Sequence, residues 1–409
     1  MTEALRALVA RIHAAPAQVV YSFAGAGVEA LAWLHAVGGS SRTVLEAVDR
    51  YAAGSLEEGV GGPVAKAVAP EVAVALATRA RARARALAGS AEAVCGVACT
   101  ATIATDRPKR GEHRAWVATA DGLGVRLYGL TLAKGARDRA GEEALVSTLV
   151  VRAVADAKGV LEATPLPLVA GEALERRFAP GPELRAFAEG RRPLLAIDVH
   201  GEPVDALPWP VGGGAVVSGS FHPLHDGHLG LAAAAQRHLG RAVAFELAVA
   251  NADKPSIDLD EAHRRATQFT GRAPLLLTRA ARFDAKAALL PGAVFVVGAD
   301  TAARILEPRF YADVSERATA LDAVRAAGGR FLVAGRRTDG RFVTLAGLDV
   351  PDRHADLFEA LPESAFRADV SSTEIRAAWA EGAVASAGAD GAADRSAADA
   401  DDGAPTDRR

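Results

Sequence analysis

The stretch Ser218-Gly-Ser-Phe-His-Pro-Leu-His-Asp-Gly-His228 constrains this chain more than any other. It follows the apolar run Ala215-Val216-Val217 and precedes Leu229-Gly-Leu-Ala-Ala-Ala-Ala235, which reads as helix. A strand therefore runs into a tight glycine- and proline-bearing loop, and the loop runs into a helix N-terminus. First-turn amides are unpaired there and the helix dipole favours negative charge, so the junction suits an anion. Three histidines, His222, His225 and His228, crowd it. Imidazoles donate hydrogen bonds or carry charge near neutral pH, which suits a polyphosphate. Their spacing across the loop does not put three nitrogens on one helix face, so no metal site is expected.

From residue 211 apolar strand runs alternate with helical stretches. Strands are predicted at 215–218, 244–249, 274–278, 293–298 and 330–335. Helices are predicted at 228–238, 260–269, 301–306, 315–327 and 372–381. Such alternation implies an α/β fold, a parallel sheet covered on both faces. Ligands of these sheets sit beyond the strands' carboxyl ends, at the switch point.

Gly219, Phe221, Pro223, His225, Gly227 and His228 fit, in order, the first signature of the nucleotidyltransferase superfamily of adenylyl- and cytidylyltransferases. His222 stands where that signature usually has Asp or Asn. Val370-Ser-Ser-Thr-Glu-Ile-Arg376 resembles the superfamily's second signature. The resemblance implies a Rossmann-like, doubly wound domain over 211–383 that transfers a nucleotidyl group and releases pyrophosphate. It implies that His225 and His228 contact the α- and β-phosphates and that Arg376 offers phosphate a guanidinium fork. Ser218, Gly219, Ser220 and Phe221 would bring backbone close to the nucleotide. Ser371, Ser372 and Thr373 would hold β- and γ-oxygens at a helix start. In Asn251-Ala-Asp-Lys-Pro255, Lys254 is the basic residue expected to meet phosphate. Gly298 and Asp300 are similar to a Gly-x-Asp of adenylyltransferases for nicotinamide mononucleotide, where the acid would accept bonds from a ribose hydroxyl. A capping role for Asp300 at the following helix is equally compatible. Magnesium would ride on the triphosphate, with few protein ligands.

Residues 1–160 read as a separate α/β domain. Leu5, Leu8, Val9 and Ile12 lie at helical spacing, and Gln18–Ser22 reads as a strand followed by Gly25 and Gly27. A long helix at 71–88 carries Arg79, Arg81, Arg83 and Arg85 on what reads as a solvated face. Strands at 115–118 and 124–131 flank the turn at Asp121-Gly, and a helix follows at 138–157. Tyr21-Ser-Phe-Ala-Gly-Ala-Gly27, Gly39-Ser-Ser41, Tyr51, Val97–Thr102 and Arg110–Val117 follow the order of landmarks in the CinA C-terminal, nicotinamide-nucleotide amidase family. Ser22 matches that family's nucleophile and Tyr51 its tyrosine. The lysine expected just after the tyrosine is replaced by Ser55 and Leu56. A serine nucleophile needs a base, and Lys66 would have to be recruited. A structural or regulatory remnant of an amidase is therefore expected.

Length and composition set the frame. A chain of 409 residues, half of them hydrophobic, holds two or three domains. A formal charge of -3 gives no bias toward nucleic acid or acidic membranes. No apolar run reaches about eighteen residues, and the N-terminus lacks a signal peptide's pattern, so a cytoplasmic protein is expected. Cys95 and Cys99 lie in a run of small residues and read as buried, not metal-binding. Residues 161–210, rich in proline, read as a linker with some structure, including a hairpin at Leu194–Pro203. Residues 384–409 read as a disordered acidic tail. A fragment of about 205–384, holding both signatures and a complete parallel sheet, is expected to keep nucleotidyltransferase activity. The leading expectation is an adenylyltransferase joining ATP to a small phosphorylated acceptor, nicotinamide mononucleotide or its acid form. The alternatives are a cytidylyltransferase, an adenylyltransferase for another acceptor, and a non-catalytic nucleotide sensor. The sequence sets no oligomeric state.

Overall fold

The computed structural model describes residues 1–89, 92–106, 110–161, 166–209, 213–250, 257–338, 341–367 and 376. The chain divides into a compact body, Met1–Asp369, and a segment, Val370–Arg409. Two sheets build the body.

The first sheet has the order β2-β1-β3-β4-β5-β6. Its strands are β1 (Gln18–Ala24), β2 (Val44–Asp49), β3 (Val94–Thr102), β4 (His113–Ala120), β5 (Gly124–Leu132) and β6 (Ala173–Pro180). β1 runs parallel to β2 and β3, and the remaining neighbours are antiparallel. One face packs on α1 (Glu3–Ala14), α2 (Val28–His35) and α5 (Arg139–Ala157). The other packs on α3 (Ala53–Val60) and α4 (Pro70–Ala88). α1 starts where Thr2 accepts the Leu5 amide at 3.3 Å, and it buries Leu5, Leu8, Val9 and Ile12. Cys95 and Cys99 are buried in β3. Of the four α4 arginines Arg79 and Arg83 are exposed, as expected of a solvated face, while Arg81 and Arg85 are partly buried. Arg81 and Arg85 both bind Glu202, and Arg83 binds Glu46 at 2.8 Å.

The second sheet has the order β16-β13-β12-β9-β10-β11-β7-β8. Its strands are β7 (Leu194–Ile197), β8 (Pro203–Val204), β9 (Ala215–Ser218), β10 (Val243–Ala248), β11 (Leu275–Thr278), β12 (Val294–Gly298), β13 (Arg330–Ala334) and β16 (Phe358–Leu361). A small ribbon, β14 (Arg336–Thr338) and β15 (Arg341–Val343), stands apart. The six strands from β16 to β11 are parallel. β7 then adds antiparallel to β11, and β8 to β7. α6 (Pro182–Ala188), α7 (Asp226–Leu239) and α8 (Leu259–Thr267) cover one face. α9 (Phe283–Leu289), α10 (Ala299–Leu306) and α11 (Val314–Ala326) cover the other. The strands read as unbroken apolar runs because both faces are buried.

The stretch read as a linker supplies β6 to the first sheet and the β7–β8 hairpin to the second. The sheet of the second domain is consequently not complete from residue 205, nor wholly parallel, because its β11 edge is closed by residues 194–197.

Candidate active site

The site sits where the winding of the second sheet reverses. From β9 the chain proceeds outward to β10 and β11, then returns to the other side of β9 as β12. β9 and β12 are adjacent and parallel, with Ala215 opposite Val294 and Val217 opposite Val296. Their connections leave in opposite directions, which opens a crevice at the carboxyl ends. The loop after β9 carries Gly219–His225. The turn after β12 carries Gly298 and Asp300.

The loop's shape follows from its residues. Phe221 has φ 45°, a left-handed conformation that costs a non-glycine residue about 1–3 kcal/mol. Its ring is buried and packs edge-on against Phe245, Phe269 and His228. Such burial contributes about 1.5–3 kcal/mol, enough to hold the bend. A Cβ on Gly219 would lie 2.8 Å from that ring, so glycine is needed there. Phe221 is thus an anchor by its side chain, which leaves its backbone in the loop beside Ser218, Gly219 and Ser220.

α8 grips the loop from the side. Buried Gln268 donates to the Phe221 carbonyl at 2.9 Å and accepts the Leu224 amide at 2.7 Å. Arg265 donates to the Ser220 carbonyl at 3.1 Å, and Glu261 meets His222 Nδ1 at 3.1 Å. His222 is therefore part of the loop's support. Glu261, Arg265 and Gln268 were not picked out from the sequence, because only tertiary contact brings them to residues 220–224.

His225 is the N-cap of α7 and His228 its third residue. The two rings stack at 3.8 Å between centroids. His228 Nδ1 accepts the His225 backbone N–H at 3.3 Å, which leaves the ring proton on Nε2 as a donor. Burial, reinforced by His225 and Arg336, pushes the His228 pKa down to about 3. Burial and Arg336 also lower that of His225. Both rings are neutral in the free protein at neutral pH.

Arg336 supplies the fixed positive charge. It follows Gly335 at the end of β13, and its Nε lies 3.6 Å from Asp300 Oδ1. A Cβ on Gly298 would lie 2.5 Å from Asp300 Oδ1 and 3.3 Å from Arg336 Cδ, so glycine lets these groups close over the turn. The sequence did hold a signal for Arg336, an apolar strand ending in Gly-Arg, but one arginine among many carried no distinction. Ser218 Oγ, His225 Nε2 and Asp300 Oδ1 are shielded and have no hydrogen-bond partner among the described residues. Buried polar atoms are satisfied by a partner, and here a bound ligand or water can supply it.

Lys254, Ser371, Ser372 and Thr373 lie outside the described residues. Arg376 is described, partly buried and in helical backbone, and belongs to the segment after the compact body. Among the described residues no three His, Cys, Asp or Glu side chains gather to hold a metal ion.

The half of the compact body built on the first sheet, residues 1–180, is the first body, and in it a cavity of about 320 Å³ opens at the carboxyl ends of β1 and β3. Arg50, Tyr51, Thr100, Thr102 and Arg139 are among its lining residues. Tyr51 is 76% exposed there. Ser22 is buried, is not part of the lining, and its Oγ has no partner among the described residues. Lys66 is exposed and lies outside the lining. The structure thus brings Tyr51 to the cavity, while Ser22 and Lys66 are not among its lining residues, although Ala24 and, on either side of Lys66, Val64 and Ala67 are.

The switch-point crevice and the loop after β9 lie in a stretch that is similar to the nucleotidyltransferase superfamily. Residues 216–378 match the cytidylyltransferase-like family. No curated protein matches the chain. Solved structures similar to its N-terminal part include the competence/damage inducible protein CihA from Agrobacterium tumefaciens, at 16% identity and TM-score 0.32 over 37% of this chain and 94% of that one. A CinA superfamily protein from Enterobacter cloacae gives 14% and 0.30, over 38% and 88%. A competence or damage-inducible protein from Enterobacter asburiae gives 12% and 0.30, over 39% and 96%. Among the described residues no helix is long and apolar enough to cross a membrane.

Proposed function

We propose that the second domain transfers the adenylyl group of ATP, carried with magnesium, to the phosphate of nicotinamide mononucleotide or its acid form. An acceptor phosphate oxygen attacks the α-phosphorus. The bond from that phosphorus to the bridging oxygen breaks, and pyrophosphate leaves with the electron pair. The protein's part is positioning and charge stabilisation. His228 donates from Nε2 to a phosphate oxygen, His225 contacts the next phosphate, and Arg336 balances the charge that develops. Lys254, Ser371, Ser372, Thr373 and Arg376 are assigned by their motifs to the outer phosphates. Ser218, Ser220 and the backbone of Gly219 and Phe221 line the nucleotide's approach.

The observation that carries the reading is the pair of stacked, neutral histidines at the α7 N-terminus beside a fixed arginine. A neutral imidazole N–H donates to an oxyanion without first being protonated, and burial strengthens that bond. The adenylyl and pyridine-nucleotide assignment rests on Gly298 and Asp300 at the switch point, with an Asp300 oxygen that has no hydrogen-bond partner among the described residues. Cytidylyl transfer is the second reading, favoured by the family that residues 216–378 match. A pyrophosphate-release screen of ATP and CTP against phosphate-bearing acceptors separates them. Fastest release with ATP and nicotinamide mononucleotide or its acid form is expected. Release with CTP alone overturns the donor, and release with neither overturns the enzyme reading in favour of a sensor.

A further inference from the structure

We infer that the first body positions the nucleotide loop through α8, with Arg126 and Asp121 as remote positioning residues for the transfer reaction; this rests on the reading above. Two faces of α8 have different partners. One holds the loop, by Glu261 to His222, Arg265 to the Ser220 carbonyl, and Gln268 just past its end to Phe221 and Leu224. The other is held by the first sheet. Arg126 of β5, only 3% exposed in its side chain, donates to Asp260 Oδ1 at 2.6 and 3.0 Å and to the Asp260 carbonyl at 3.1 Å. His263 Nε2 lies 2.7 Å from Asp121 Oδ2 and its ring stacks on Phe178 of β6 at 4.4 Å.

The backbones also abut. A Cβ on Gly159, at the end of α5, would lie 2.6 Å from Gln268 Cα and 2.6 Å from the Thr267 carbonyl oxygen. The first body therefore touches the residue that clamps Phe221 and Leu224. Asp260 and Glu261 are consecutive, so a shift of the helix at the Arg126 contact moves the His222 contact with it.

This arrangement sets a kinetic signature. If α8 is released, only a fraction of molecules hold the loop ready for the triphosphate. Apparent affinity then falls by that fraction, while the bound complex reacts as before. A residue that merely maintains the fold would instead lower the amount of active protein and so the apparent kcat.

The test uses the full chain without nucleotide first. Hydrogen exchange of residues 219–226 is measured in the native protein, Arg126→Leu, Asp260→Ala and Asp260→Glu. Exchange in the loop is expected to quicken about tenfold in Arg126→Leu and Asp260→Ala, with β12 and β13 unchanged. Asp260→Glu keeps the ion pair and should behave as the native protein. In the pyrophosphate assay the first two variants should raise the triphosphate KM about tenfold with kcat held. Unchanged loop exchange in both overturns the inference, as does a fall in kcat with KM unmoved. Should Arg126→Leu not fold, Asp260→Ala decides, since Asp260 is 45% exposed. If the native protein neither turns over nor binds ATP or CTP, the transferase reading fails, and the exchange data still decide whether the first body holds the loop.

Discussion

His228 takes its proposed role from its surroundings more than from its own chemistry. A solvent-exposed imidazole, with a pKa of about 6.5, would carry charge about a quarter of the time at pH 7. Here burial keeps it neutral, and the His225 amide fixes which nitrogen bears the proton. His228→Ala is expected to lower kcat about a hundredfold or more while weakening triphosphate binding less, because the contact strengthens as charge develops. Steady-state kinetics read both. The same burial has a cost in acid. The unfolded chain protonates His228 near its ordinary pKa of about 6.5, and the folded one only near 3. Stability should therefore fall as pH drops below about 6.5. Melting temperature measured from about pH 7 to 4 should fall less steeply in His228→Gln. Histidines and glycines of the loop were legible because the motif keeps them within eleven positions. Arg336 was not, since it reaches the site only through the order of β9, β12 and β13. Ser22 shows the converse, a motif match that the fold buries. Ammonia release from nicotinamide mononucleotide is expected to be absent, and release that disappears in Ser22→Ala would restore the amidase reading.

At the scale of elements, α8 was legible as a helix from its period, and its work was not. Its partners Asp121 and Arg126 are 142 and 134 positions away in the chain. Likewise β3 was missed as a strand. Both its faces are buried, so it shows no alternation, and its alanines, glycine and cysteines carry little strand preference. Gln268 makes the role of the segment measurable. Replacing it by leucine strands the Phe221 carbonyl and Leu224 amide in a dry environment. Each unsatisfied group costs about 1–3 kcal/mol, so Gln268→Leu should lower the urea midpoint clearly and weaken triphosphate binding. A variant with native stability would show that water replaces the amide. Asp121 adds a pH effect. Burial alone would raise its pKa, but the charge and hydrogen bond of His263 overcome this and hold it below the ordinary carboxylate range. Its contribution to stability is complete above the unfolded value of about 3.9 and is lost as pH falls through the lower folded one.

At the scale of the whole molecule, the two sheets are not beads on a string. Read from its motifs, the chain promised a second domain able to stand alone from about residue 205, because both signatures and five strands lie beyond that point. The fold contradicts this on three counts. β7, which closes the β11 edge, is residues 194–197. The buried His263 has its partner at Asp121 in the first body. Leu123, beside the turn that joins β4 to β5, is part of the second sheet's core. A fragment of 205–384 would expose the backbone edge of β11, whose four residues are all buried, and such an edge invites pairing between copies. It would also leave the Asp260 and His263 side of α8 bare. That fragment is expected to aggregate or melt well below the full chain, and to lose most pyrophosphate release. A fragment from residue 182 restores α6 and the β7–β8 hairpin but not Arg126 or Asp121. It should regain solubility without regaining native KM. Size-exclusion chromatography and the pyrophosphate assay on both fragments separate the two contributions. Full activity in the shorter fragment would show that the first body is a passenger, and would remove α8 as a link between the two halves.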